Sequence, residues 1–155
     1  MRARTLATLG PLVALLIACV VFSTQSPRFL ASENFALILQ QVMVVGVLAI
    51  GQTLVILTAG IDLSCGLVMA LGAVVMTKLA VMSGWPPIAA ISAGIAVTTG
   101  AGLINGLLVT RVKLPPFIVT LGTMNIAFAA TQLLSRSQSI TDLPPTFTWL
   151  GTTLR

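Results

Sequence analysis

Histidine is absent from the 155 residues, and aspartate and glutamate together number three. The missing imidazole removes the commonest general base and metal ligand. There is no pair of neighbouring carboxylates, no G-x-S-x-G elbow and no glycine-rich phosphate loop with its lysine. Catalysis therefore finds no support, no metal site or cofactor is expected, and any ATP must be bound by another protein. Cysteine is scarce as well: Cys19 and Cys65 lie in or beside apolar segments and form no C-x-x-C pair, which leaves them as small packing residues. Charged residues make up 7% of the chain, and the eight basic ones are scattered rather than run together, so the net charge of +5 reads as loop topology and not as a nucleic-acid footprint.

What is present is apolar. Hydrophobic residues reach 57% and the mean hydropathy is +1.08, values that belong in a lipid bilayer rather than in water. The length allows about five spans of roughly 20 residues each and little extramembrane structure. Apolar blocks fall at about 6–24, 35–57, 63–82, 87–109 and 117–134, which predicts an all-α integral membrane protein of about five transmembrane helices within one domain, 1–155. The motif Leu16-Ile17-Ala18-Cys19 is like a lipoprotein processing site, but the sequence stays apolar beyond it and four more blocks follow. A polar stretch, SRSQSITDLPPTFTWLGTTLR (135–155), closes the chain. With the N-terminus in the cytoplasm, Arg2, Arg4, Arg111 and Lys113 lie inside while Arg28 and Arg136 lie outside, which satisfies the positive-inside bias. Lys78 then sits near the outer end of the third span, where it can snorkel.

Two spans carry internal signals. Gly94, Thr98, Gly102 and Gly106 recur every four residues in the fourth span and are expected to line one face for close helix packing. In the second span Gln41 and Gln52 are eleven positions apart and fall on nearly the same face, so they should look at other helices or a cavity. Pairing with neighbouring helices and a place in a solute pathway both remain open for them.

The stretch TAGIDLSCG, Thr58 to Gly66, sets an aspartate between glycines with apolar sequence on either side. A straight count along the second span puts Asp62 at or just past the cytoplasmic boundary. One reading ends the second helix with Gly60 in the left-handed region and lets Asp62 or Ser64 cap the third helix. The other is a broken helix, unwound over Gly60 to Gly66, with a helix N-terminus aimed at a polar cavity. Spacing does not separate them. A neutral polyol would need amides, hydroxyls and an occasional carboxylate, and Gln41, Gln52, Thr53, Asp62, Ser64, Asn105 and Asn125 supply those groups.

GQTLVILTAGIDLSCGLVMALGAVV, Gly51 to Val75, and NGLLVTRVKLPPFIVTLGTMNIA, Asn105 to Ala127, together resemble the permease subunits of bacterial ABC transporters for ribose and related monosaccharides. The chain departs from that pattern at Cys65, Leu67, Asn125 and Phe128. The resemblance implies a multi-pass subunit of the bacterial inner membrane that forms part of a translocation pathway, contacts membrane lipid and pairs with a second permease copy. It also implies a periplasmic sugar-binding protein that delivers solute and cytoplasmic ABC ATPase subunits that drive transport. It covers an N-terminal half, so a truncated or split permease is expected, not competent for ATP-coupled transport alone. An ion-coupled secondary transporter, with Asp62 as its relay group, and a non-transporting membrane scaffold using the small-residue face are the two other classes left open.

Overall fold

The computed structural model describes residues 2–141 with 143, 145 and 147, and side chains from residue 9 onward; the side chains of Arg2 and Arg4 and the remainder of 135–155 lie outside the described residues. Among the described residues the regular structure is helical throughout: α1 (Arg2–Gln25), α2 (Ser32–Leu57), α3 (Cys65–Met82), α4 (Pro87–Thr110) and α5 (Pro116–Ser135). α2, α3, α4 and α5 are long and apolar enough to cross a membrane, and α1 contributes a shorter apolar run, Leu9–Gln25.

Two compact units meet at Val45 and Gly46, within α2. In the first, α1 is closed by the Ser26 amide, which donates to the Phe22 carbonyl at 3.0 Å. The linker that follows folds on itself: Asn34 Nδ2 donates to the Phe29 carbonyl at 2.8 Å, and the Phe22 and Phe29 rings sit with centroids 5.9 Å apart. Glu33 in the first turn of α2 suits the positive end of that helix's dipole.

In the second unit α3 packs on both α4 and α5. Each of α4 and α5 begins with proline at its first helical position, where the missing N–H costs nothing. The α3–α4 seam is set by two glycines. A Cβ on Gly94 would lie 2.8 Å from the Gly72 carbonyl oxygen, and one on Gly72 would lie 2.5 Å from Thr98 Cγ2. Backbone touches backbone there, and either side chain would wedge it open. Gly102 and Gly106 are different: nothing lies within 4 Å of a Cβ on either, and both are exposed. The expected four-residue stripe thus divides because steps of four advance about 40° beyond a full turn at 3.6 residues per turn, carrying Gly106 about 120° from Gly94. The face turned inward runs instead through Gly94, Thr98, Ala101 and Asn105.

Lys78 does not merely reach for the interface. Its Nζ donates to the Leu134 carbonyl at 3.0 Å, a cation placed on the negative C-terminal end of α5. Large apolar side chains such as Val47, Leu57 and Leu133 point outward, 72%, 76% and 80% exposed, as suits lipid or further helices.

Candidate functional site

The segment from Thr58 to Ser64 joins α2 to α3 without helical structure. α2 stops through two crossed bonds: the Gly60 amide donates to the Val55 carbonyl at 3.0 Å and the Ala59 amide to the Ile56 carbonyl at 2.9 Å, the pairing of a Schellman motif. The left-handed residue is Ala59, with φ 56°, and not Gly60 as expected. Gly60 stands one position later, where a Cβ would lie 3.0 Å from Val55 Cγ1 and 3.2 Å from the Val55 carbonyl oxygen. Its small size serves close approach rather than an unusual φ.

Beyond the turn, polar side chains form a directed series. Thr123 Oγ1 on α5 donates to Asn105 Oδ1 on α4. Asn105 Nδ2 donates to Ser64 Oγ at 3.0 Å, and Ser64 Oγ donates in turn to Asp62 Oδ1 at 2.7 Å. The Ser64 backbone amide also donates to that same carboxylate oxygen, at 2.7 Å. Two further bonds hold the backbone: Gln52 Nε2 on α2 donates to the Asp62 carbonyl at 3.0 Å, and Thr120 Oγ1 on α5 donates to the Ile61 carbonyl at 3.1 Å. Ser64, Asn105 and Thr120 are buried, at 2%, 8% and 4% exposure. No buried side-chain polar atom among the described residues lacks a partner. We refer to this assembly as the hub.

The hub assigns the two capping candidates different roles. Ser64 occupies the N-cap position of α3 but makes no side-chain cap bond there. Its hydroxyl is consumed between Asp62 and Asn105, and the Asp62 carboxylate accepts the free amide instead. The hub also reaches beyond the helix ends. Asn105 lies five residues inside the Thr110 end of α4 and Thr123 seven residues inside the Pro116 start of α5, about 8 and 10 Å at 1.5 Å per residue. Non-helical backbone therefore enters the bundle, which is tolerated where protein or a cavity surrounds it. Asp62 is half-buried, and among the described residues its second oxygen accepts no hydrogen bond.

Four of the seven candidate pathway residues, Gln52, Asp62, Ser64 and Asn105, are thus brought together. Three are not. Thr53 Oγ1 donates to the Ala49 carbonyl at 2.7 Å and Asn125 Nδ2 to the Leu121 carbonyl at 2.8 Å, each on its own helix. Gln41 is exposed on α2. Thr120 and Thr123 belong to the hub without having been singled out; their signal was a pair of hydroxyls at i, i+3 in the first half of α5, which places both on one face. No group of three or more Cys, Asp or Glu side chains among the described residues could hold a metal ion.

Four described helices long and apolar enough to cross a membrane, with a polar, non-helical segment joining α2 to α3, make this a multi-pass membrane protein. Residues 34–154 match the family described as branched-chain amino acid transport system / permease component, and the chain belongs to that family. It is a multi-pass protein of the bacterial inner membrane. It is similar to the fructose import permease protein of Rhizobium meliloti, 44% identical over 131 residues that make up 84% of this chain and 36% of that protein. The ribose import permease protein of Bacillus subtilis (strain 168) is 40% identical over 87% of this chain and 42% of its own length. The galactofuranose transporter permease protein of Escherichia coli (strain K12) is 39% identical over 90% of this chain and 43% of its own length. The chain spans about two-fifths of the curated relatives it matches. No solved structure matches it.

Proposed function

We propose that this chain forms part of the translocation pathway of an ATP-driven importer for a monosaccharide, working with cytoplasmic ABC ATPase subunits, a periplasmic sugar-binding protein and a second permease copy. The observation that carries the reading is similarity over 84–90% of the chain to permeases whose names differ in the sugar but agree on transport of one. Activity is assigned to the assembled transporter, of which this chain is a part. The N-terminus faces the cytoplasm, so the hub lies toward the inner face and the C-terminal ends of α3 and α5 toward the outer one.

In this reading the hub serves the pathway. A sugar carries no net charge, so it is met by amides, hydroxyls and a carboxylate acceptor rather than by a fixed cation. The unengaged oxygen of Asp62 is the solute-facing atom, while Ser64, Asn105, Thr123, Thr120 and Gln52 hold it in place.

Uptake of radiolabelled ribose and fructose by proteoliposomes holding the assembled transporter tests the proposal. Uptake is expected to need internal ATP, the binding protein and this chain together. Uptake driven by a proton gradient with no ATPase present would replace it with a secondary transporter. A complex that moves no solute, but falls apart with Gly102→Leu, would replace it with a scaffold.

A further inference from the structure

The hub accounts for one end of the α3–α5 pair; the other end holds a cavity of about 430 Å³. That volume lies within the roughly 300–1,000 Å³ of small-molecule sites. Thr77 of α3 and Thr131, Gln132 and Ser135 of α5 line it, with Ser137 and Gln138 beyond the helix end. Ala73 and Val74 supply an apolar patch, and no charged side chain contributes. Lys78, one residue from Thr77, is engaged with the Leu134 carbonyl and ties the two walls together.

The lining groups are free to bind. The Thr77 hydroxyl donates to the Ala73 carbonyl at 2.8 Å and that of Thr131 to the Ala127 carbonyl at 2.7 Å, which leaves both oxygens as acceptors. Among the described residues the side chains of Gln132, Ser135, Ser137 and Gln138 make no hydrogen bond. Amides and hydroxyls in a membrane bundle are costly against lipid and are retained where they face water or a solute. The backbone adds an independent sign. Arg136 and Ser137 are both left-handed, φ 53° and 56°, a conformation that costs energy for residues other than glycine. Their amides both donate to the Gln132 carbonyl, and the turn folds Gln138 to Ile140 back to wall the cavity.

We propose that this cavity is a binding site for a neutral polyhydroxylated ligand of monosaccharide size, with Gln132 and Ser135 supplying donors, the Thr77 and Thr131 oxygens accepting, and Ala73 and Val74 meeting a C–H face of the ring. The ligand class rests on the importer reading above, and with the N-terminus inside the cavity opens to the outer face.

The test uses the full transporter in intact cells. Ser135→Cys is introduced with Cys19→Ala and Cys65→Ala, and a membrane-impermeant maleimide is applied with and without ribose or fructose while ATP-dependent uptake is followed in the same cells. A transported sugar is expected to slow labelling several-fold, and Gln132→Leu or the near-isosteric Thr77→Val to remove that protection without changing the sugar-free rate. Protection that survives both substitutions, uptake without protection, or no labelling from outside would each overturn the site. Protection without ATP-dependent uptake would leave the site standing and overturn the importer.

Discussion

The two ends of the α3–α5 pair treat polar groups in opposite ways. At the hub, Thr123, Asn105, Ser64 and Asp62 are joined donor to acceptor, and Gln52 and Thr120 fix the backbone between them. At the cavity, Gln132, Ser135, Ser137 and Gln138 form no such bonds among the described residues, and Lys78 supplies a strut between the two helices. Polarity that is satisfied internally rigidifies; polarity left open is available to a ligand. The same residue types therefore serve shape at one end and recognition at the other.

Substitutions can break that contrast. Asn105→Leu removes two hydrogen bonds and leaves the Thr123 hydroxyl without its Asn105 acceptor, with an expected loss of about 3 kcal/mol. The unfolding midpoint in mixed micelles measures it, and an unchanged midpoint would mean that the hub does not hold the bundle. Asp62→Leu loses both bonds from Ser64, an expected cost of about 2 kcal/mol. Asp62→Asn keeps an acceptor and should cost less than half as much, while sugar uptake falls in both variants. Wild-type uptake in Asp62→Asn would reduce Asp62 to a cap.

These outcomes also separate what was legible in the sequence from what was not. An all-helical membrane bundle follows from composition, because unpaired backbone has no alternative in lipid. Asp62, Ser64 and Asn105 stood out as polar groups in apolar surroundings. Thr120 and Thr123 did not, since a threonine that bonds its own helix is hidden in such a pattern; Thr120 does that and also reaches the Ile61 carbonyl. Thr53 and Asn125 show the converse: polar residues whose side-chain donors return to their own helices. The glycine stripe was visible, but its mate Gly72 lay on another helix, and only the fold shows where four-residue spacing leaves the seam.

A smaller effect tests that seam. Gly94→Ala pushes a Cβ against the Gly72 carbonyl, and overpacking less the gain in helix propensity leaves an expected loss of about 1 kcal/mol. Gly102→Ala meets nothing and should be neutral or stabilising by up to about 1 kcal/mol. Equal losses at both positions in the same micelle assay would show that the outer face is packed too. The smallest change belongs to the cavity: Gln132→Leu breaks no bond and should shift stability by no more than about 0.5 kcal/mol, while sugar protection at Ser135→Cys disappears. A large destabilisation there would erase the contrast between the two ends.

The hub also constrains biogenesis. The Ile61 carbonyl waits for Thr120, 59 residues further along the chain. At synthesis rates of about 5–20 residues per second that interval is about 3–12 s. For those seconds the Ile61 carbonyl has been made but its partner on α5 has not, and the Ser64 hydroxyl waits for Asn105 on α4, so this polar segment must be kept near water or a sheltering protein. Insertion of this region is therefore a delayed event, completed only as α5 arrives.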